Sequence, residues 1–360
     1  MEYTLFFTGY PGFLARGLLD EVLNAHGEKI DHIYLLVLEE EMEVAEKAIT
    51  RHPVKEKMTL IPGDITKDNL GMEVSMTKKL EASITHLFHL AAIYDLAVPK
   101  KIAYNVNVHG TEMVTNWARN LKNLSRYIYF STAYVSGTRE GIIYETELNM
   151  NQDFKNHYEQ TKFEAELIVE DAKKYLPTTI IRPGIVKGHS KTGETIKFDG
   201  IYFMLHLFDH LSFSPVLPYL GEGRVEGNFV PADYVLEATS YLAFQDKSKG
   251  KTYHLTDPNP YTMRELYRMV AKSYLGREPK GQIPLELARL PMNVRGIEKW
   301  LRVEKEALDY FTFDAAYDCS QALEDLAGSG ISCPDFKETL EPMVAYYQKY
   351  KDDLDKYIFH

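Results

Sequence analysis

A chain of 360 residues with 45% hydrophobic and 26% charged side chains can bury a large core, as one large domain or two coupled ones. Its net charge of -11 lacks the basic surface that phosphate backbones require, so nucleic acid is not an expected partner. The same charge gives no long-range attraction to an anionic membrane or an acidic carrier protein, and contact with either needs a local basic patch.

The first apolar run, YTLFFT (3–8), reads as a strand. It leads straight into a glycine turn, so the start MEYTLFFTGYPG lacks the basic segment of a secretory signal. In TGYPGFLARGLL, Gly9 permits a tight turn, Gly12 lets a pyrophosphate approach the backbone, and Ala15 allows close helix-sheet packing. The helix that follows offers amide donors and a positive dipole end, so a dinucleotide site is expected, with a plain strand-to-helix turn as the alternative.

Further strands are expected at HIYLLVL (32–38), MTLI (58–61), THLFHL (85–90), RYIYFS (126–131) and TTIIR (178–182). Apolar runs alternating with amphipathic segments predict right-handed β-α-β units and a parallel sheet covered on both faces. Ligands of such sheets lie beyond the carboxyl ends of the strands. There Asp64, in LIPGDIT, reads either as an acceptor for an adenine amino group or as a turn cap. Ala91 and Ala92, in FHLAAIYD, leave room for a cofactor, and Thr132, in YFSTAYVSG, puts a hydroxyl where it can hold a substrate oxygen.

The next amphipathic segment, FKNHYEQTKFEAELIVEDAKKYL, carries Tyr158 and Lys162 one helical turn apart. The same spacing recurs at Tyr347 and Lys351, and two matches are no more than tyrosine and lysine content gives by chance. Only the first pair follows a strand-end hydroxyl on a parallel sheet. A lysine ammonium near a phenol favours proton exchange, so Thr132, Tyr158 and Lys162 form a coherent triad. Tyr347 and Lys351 read as a solvated helix face.

Beyond Arg182 the pattern changes. KGHSKTGETIKFDG (187–200) reads as a flexible polar loop, and NFV (228–230) and TYHLT (252–256) as further sheet pieces. PADYVLEATSYLAF reads as a helix with Pro231 in its first turn, and TMRELYRMVAKSYLG as one opened by a Thr262–Glu265 capping box and ended by Gly276. The apolar stretch IYFMLHLFDHLSFSPVLPYL is too broken by His206, Asp209, His210, Pro215 and Pro218 to span a membrane. Its Phe203, Leu207, Phe208 and Phe213 read as an acyl-chain wall or as core packing. Cys319 and Cys333 have no partners at metal spacing, so no metal is expected and the thiols read as a reduced pair in a cytoplasmic protein.

The motifs TGYPGFLA, GDIT, HLAA, NVNVHGTE, STAYVSG, YEQTK and IIRPGIVKG resemble the extended short-chain dehydrogenase/reductase family. STAYVSG with YEQTKFEAE is most similar to its thioester-reductase and fatty acyl-CoA reductase-like branch. This resemblance covers residues 5 to 190, and a weaker one continues to 350. It implies a Rossmann-type doubly wound α/β fold with a smaller, mainly helical substrate-binding lobe. The expected boundaries are 1–185 and 226–260 for the cofactor domain, and 186–225 and 261–360 for the lobe.

The implied catalytic set is Thr132, Tyr158, Lys162 and Asn107, the last matching the family's Asn-Val-x-Gly-Thr asparagine or else serving as a helix cap. The implied cofactor set is Thr8, Gly9, Tyr10, Pro11, Gly12, Phe13, Leu14, Arg16, Leu38, Glu39, Asp64, Ile65, Leu90, Ala91, Ala92, Tyr94, Asn107, Ser131, Tyr158, Lys162, Pro183, Gly184 and Val186. One position departs from the branch: the second strand ends with Leu38 where an arginine that grips the NADPH 2'-phosphate is usual. Glu39 can instead accept a ribose hydroxyl, the NAD pattern, while Arg16 stays near enough for a phosphate. The balance tips slightly to NADP(H), with NAD(H) open.

The expected function is nicotinamide-dependent reduction of an acyl thioester or aldehyde, the thiol being coenzyme A or an acyl carrier protein, by a monomer or homodimer. Nucleotide-sugar epimerisation by the same triad is the alternative. Dehydration is disfavoured because Ala133 and Tyr134 follow Thr132 where an acid-base pair is needed.

Overall fold

Seven parallel strands form the central sheet of the computed structural model, which describes residues 2–94, 99–290, 296, 301, 308 and 311–357. In chain order they are β1 (Tyr3–Thr8), β2 (Ile30–Val37), β3 (Met58–Pro62), β4 (His86–His89), β5 (Arg126–Phe130), β7 (Thr178–Pro183) and β11 (Thr252–Leu255). Their spatial order is β11-β7-β5-β4-β1-β2-β3, so the winding direction reverses between β1 and β4. That reversal opens a crevice beyond the carboxyl ends of these two strands.

The strands read as unbroken apolar runs because both faces are covered. Alternation along β1 sends Leu5 and Phe7 to one face and Phe6 to the other. The first face packs under α1 (Phe13–His26), α2 (Met42–Thr50) and, from later in the chain, α8 (Ala232–Ala243), with Leu18, Val22, Val235 and Leu242 buried. Phe7 stacks on Phe88 there, with ring centroids 4.4 Å apart. The second face packs under α3 (Val74–Ser83), α5 (Gly110–Ala118) and α6 (His157–Ala172), through Leu80, Trp117, Ala165 and Val169. Before α5 the chain runs through α4 (Lys100–Ala103) and a π-helical stretch, Tyr104–His109.

The expected strand TYHLT becomes β11, and it completes the main sheet by pairing with β7, Thr252 opposite Ile180. NFV becomes β10 (Phe229–Pro231), paired with β8 (Ile185–Lys187). Two further short parallel pairs are β6 (Gly141–Ile143) with β13 (Ala315–Tyr317), and β9 (Tyr219–Leu220) with β12 (Gln282–Ile283).

A separate core lies outside the sheet. It is built by α7 (Tyr202–His210), α9 (Met263–Leu275), α10 (Leu285–Arg289) and α12 (Phe336–Tyr350), with α11 (Ser320–Leu326) packing back on the sheet. The capping box of α9 is present as expected, and Gly276 ends that helix in the left-handed region at φ 69°. Phe203 and Phe208 are buried in this second core and Leu207 packs at its edge, whereas Phe213 is 78% exposed. The four therefore do not share one surface, and core packing explains the first three. Tyr347 is not on a solvated face: it is buried and hydrogen-bonds His206 Nδ1 at 2.9 Å, while Lys351 pairs with Asp209 at 2.6 Å. The stretch 187–200 is tied down, with Lys187 buried and donating to Thr339 at 2.6 Å and Ser190 N donating to Asp233 at 2.8 Å.

Candidate active site

The turn between β1 and α1 is built for close backbone approach. Gly9 has φ +86°, and a Cβ there would lie 2.7 Å from Ala91 N, so only glycine lets β1 and β4 end side by side. A Cβ on Gly12 would lie 2.7 Å from Gly9 O. Gly12 caps α1 without any side-chain hydrogen bond, and no acidic residue sits in the first turn. The amides and dipole of that turn are thus left to an anion, which is the fit a dinucleotide pyrophosphate requires. Pro11, Phe13 and Leu14 are partly buried around the turn, Arg16 is exposed one turn into α1, and the Tyr10 ring lies in the core.

At the adjoining strand ends, Leu38 is 41% exposed and Glu39 opens a short 3-10 turn. Asp64 Oδ1 accepts from Thr66 N at 2.9 Å and Thr66 Oγ1 at 2.8 Å. Burial raises the Asp64 carboxyl, but the Thr66 bonds and Lys67 outweigh it and hold the group below the usual carboxylate range. Ile65 packs against Gly110, where a Cβ would lie 2.6 Å from its Cδ1. Leu90, Ala91 and Ala92 are half-buried after β4, and Tyr94 is 49% exposed. Pro183 ends β7 and Gly184 follows it, both buried, with Val186 half-buried in β8.

Two residues of the expected triad, Tyr158 and Lys162, lie in the first turns of α6. Asn156 caps that helix by accepting from Glu159 N at 2.8 Å, which sets Tyr158 in the first turn. Thr132 follows β5 in extended conformation and accepts from Tyr134 N at 3.3 Å, and its hydroxyl lies beside the Tyr158 phenol. Burial raises the Tyr158 phenol above its usual range, and the neighbouring Thr132 hydroxyl only partly offsets this. Lys162 is buried and donates to Phe130 O at 2.6 Å and Tyr129 OH at 3.0 Å. Among the described residues it makes no hydrogen bond to Tyr158. Burial lowers the Lys162 ammonium to about 7, against an upward pull from Glu166.

Asn107 lies, buried, in the π-helical stretch. Its amide accepts from Ile93 N at 2.8 Å and donates to Ile93 O at 2.9 Å and Thr161 Oγ1 at 3.0 Å. It therefore fastens the segment after β4 to α6.

Sequence reasoning did not single out the polar layer beneath the triad. Glu166 is fully buried and accepts from Arg182 Nε at 2.8 Å and Arg182 Nη2 at 2.6 Å, and Ser131 also donates to it. Its position four residues after Lys162, on the same helix face, was the available signal. Arg182 Nη1 contacts His254 Nε2 at 3.1 Å, tying β7 to β11.

The model of the male sterility protein family, an NAD-binding family, matches residues 7–239. The chain belongs to that family. It thereby falls in the extended short-chain dehydrogenase/reductase group, on the branch of thioester reductases. The glycine betaine reductase ATRR of Emericella nidulans is 24% identical over 285 residues, 73% of this chain and 22% of that protein. The fatty acyl-CoA reductase wat of Drosophila melanogaster is 25% identical over 273 residues, 65% of this chain and 52% of that one. The male sterility family chain thus spans only 22% and 52% of these relatives. The terminal R domain from the myxalamid PKS-NRPS biosynthetic pathway shares the fold at TM-score 0.80 and 24% identity, covering 98% of this chain and 92% of that one.

Proposed function

We propose that the protein is an NAD(P)H-dependent reductase of an acyl thioester or aldehyde carbonyl. The observation that carries this reading is the Tyr158 phenol with the Thr132 hydroxyl beside it at the carboxyl end of β5, and Lys162 buried one turn along α6. A bound nicotinamide supplies the hydride. Thr132 stabilises the oxygen as charge develops on it, and Tyr158, kept protonated by burial, donates the proton that completes the hydroxyl. Lys162 holds positive charge beside the phenol. With a thioester the resulting hydroxyl adduct collapses to an aldehyde as its carbon–sulfur bond breaks, and the hydroxyl proton leaves with the thiolate as the free thiol.

Relatives named as reductases of fatty acyl-CoA and glycine betaine support the carbonyl class, with coenzyme A or an acyl carrier protein as the thiol. The amides of α1, with Gly9, Gly12 and Arg16, hold the dinucleotide, and Arg16 favours NADP(H) over NAD(H). In this reading residues 1–185 and 226–260 bind cofactor and 186–225 and 261–360 bind substrate, consistent with the separate core in the second set.

The test follows NADPH and NADH oxidation with octanoyl-CoA, octanal and UDP-glucose. Turnover is expected with octanoyl-CoA or octanal and should fall at least about 100-fold in Tyr158→Phe, the scale of general acid catalysis, with NADPH affinity unchanged. Cofactor-dependent interconversion of the sugar nucleotide would replace this reading with an epimerase.

A further inference from the structure

Behind the turn that carries Thr132 lies a small apolar core of its own, built partly by residues from much later in the chain. Ala133 and Ile143 pack there against Ala315 and Tyr317, with Phe313 at the edge. Backbone pairing joins the two sides: Ala315 of β13 lies opposite Gly141 of β6 and Tyr317 opposite Ile143, and Gly141 N donates to Asp314 O at 2.9 Å.

Two side-chain contacts fasten the 313–317 segment to the residues that set the triad. The first is at the 3-10 turn Ala133–Ser136, which Thr132 caps. Ser136 Oγ lies 3.0 Å from the Tyr317 phenol oxygen, 181 positions away in sequence. The two residues are 3% and 7% exposed, so each is the other's partner in place of bulk water. Thr132 is held to the same turn, its Oγ1 accepting from Tyr134 N and its carbonyl from Val135 N, both at 3.3 Å. The Tyr134 ring lies against Tyr317 and Phe313, with centroids 5.7 and 6.2 Å away.

The second contact is at the start of α6. Lys155 Nζ lies 3.3 Å from the centroid of the Phe313 ring and 3.6 Å from Glu159 Oε1. Lys155 N also donates to Glu159 Oε2 at 3.1 Å. Glu159 is buried and directly follows Tyr158, so the ammonium links an aromatic face of the late segment to the first turn of the helix that bears the phenol. Gln152 Nε2 donates to Val135 O and Thr138 N to Asp153 O, each at 2.8 Å, which joins the turn and the approach to α6 into one body.

We propose that Tyr317 and Phe313 are positioning residues of the reaction, bracing Thr132 and the first turn of α6 so that hydroxyl and phenol keep the spacing reduction needs. The proposal rests on the reductase reading above. In that reading both residues belong to the substrate-binding part of the chain, so the lobe that receives the substrate also completes the frame of the triad. A 3-10 turn of four residues has poor internal hydrogen bonds, and its order comes from such outside partners. Misplacing a catalytic group by about 1 Å can cost roughly a hundredfold in rate, so loosening one of two braces should cost several-fold.

The test compares wild type, Tyr317→Phe, Ser136→Ala, their double variant, Phe313→Leu, Phe313→Tyr and Tyr158→Phe in the full chain, with NADPH, octanoyl-CoA and octanal. Each single change at the hydroxyl pair leaves a buried partner unsatisfied and lowers stability in urea, whereas the double variant removes both groups and regains it. A brace separates rate from stability. In both single variants kcat should fall roughly fivefold, the scale of one neutral hydrogen bond, and stay there in the double variant, with NADPH affinity unchanged. Phe313→Leu keeps apolar volume without the aromatic face and should lower kcat about two- to fivefold. Phe313→Tyr should restore it, because the added hydroxyl can reach the open cleft that Phe313 lines with Thr138 and Asp314. If Tyr317→Phe does not fold, the double variant and the Phe313 pair carry the same expectations. Recovery of kcat together with stability in the double variant overturns the proposal, as does wild-type kcat in Phe313→Leu, while an inactive Tyr158→Phe leaves the reductase standing. Full turnover in Tyr158→Phe removes both.

Discussion

Arg16 lies one turn into α1, its amide bonded to Gly12 O at 2.9 Å, with its side chain exposed beside the crevice. Leu38 gives β2 no cation at its end, so in the proposed NADP(H) reading recognition of a 2'-phosphate falls to Arg16. Arg16→Ala should weaken NADPH roughly tenfold, as loss of one charge-assisted bond, and leave NADH nearly unchanged. Fluorescence titration of both cofactors checks this, and a several-fold wild-type preference for NADH would instead make Glu39 the ribose ligand. At this scale the sequence was uneven to read. Tyr158 and Tyr347 have identical lysine spacing, and only context separated them: a strand-end hydroxyl before the first. Nothing in the spacing announced that Tyr347 would be buried against His206, because that contact joins residues 141 apart in sequence.

Among the elements, β7 and α6 are joined by an ion pair with almost no solvent. Glu166 and Arg182 have side chains 0% and 2% exposed, and each carries further polar contacts, Ser131 on the acid and His254 on the base. Taking the guanidinium away leaves a buried carboxylate with one hydroxyl donor. Arg182→Met should therefore cost about 3–5 kcal/mol in urea-monitored unfolding, the range for breaking a buried pair. A loss below about 1 kcal/mol would mean that water reaches Glu166. Most strands were legible because two-sided burial writes them as apolar runs, with ends within a residue or two of those expected. The edge position of β11 was not, because its partner β7 lies across the whole intervening α7 and α8 segment. Helix α6 starts at His157, later than the apolar stripe from Phe154 suggests, because the Asn156 side chain caps it there.

For the whole molecule, the decisive feature is that the chain leaves the sheet after β7, contributes α7 to the second core, and returns to lay down β11. Gly250 N donates to Thr178 O at 2.7 Å where it comes back. A fragment of residues 1–190 keeps Thr132, Tyr158 and Lys162 yet leaves β7 as a bare edge with a full row of unpaired amides and carbonyls. Such an edge is a template for another strand. Size-exclusion chromatography of that fragment should find it self-associated, and a monomeric, cofactor-binding fragment would refute this. The same weave bears on synthesis at the ribosome. The sheet cannot be closed when its first six strands have emerged, because the seventh is encoded beyond a helix of the other core. The nascent chain must carry an open edge through that interval, and this is where a chaperone that shields strand edges would be needed most.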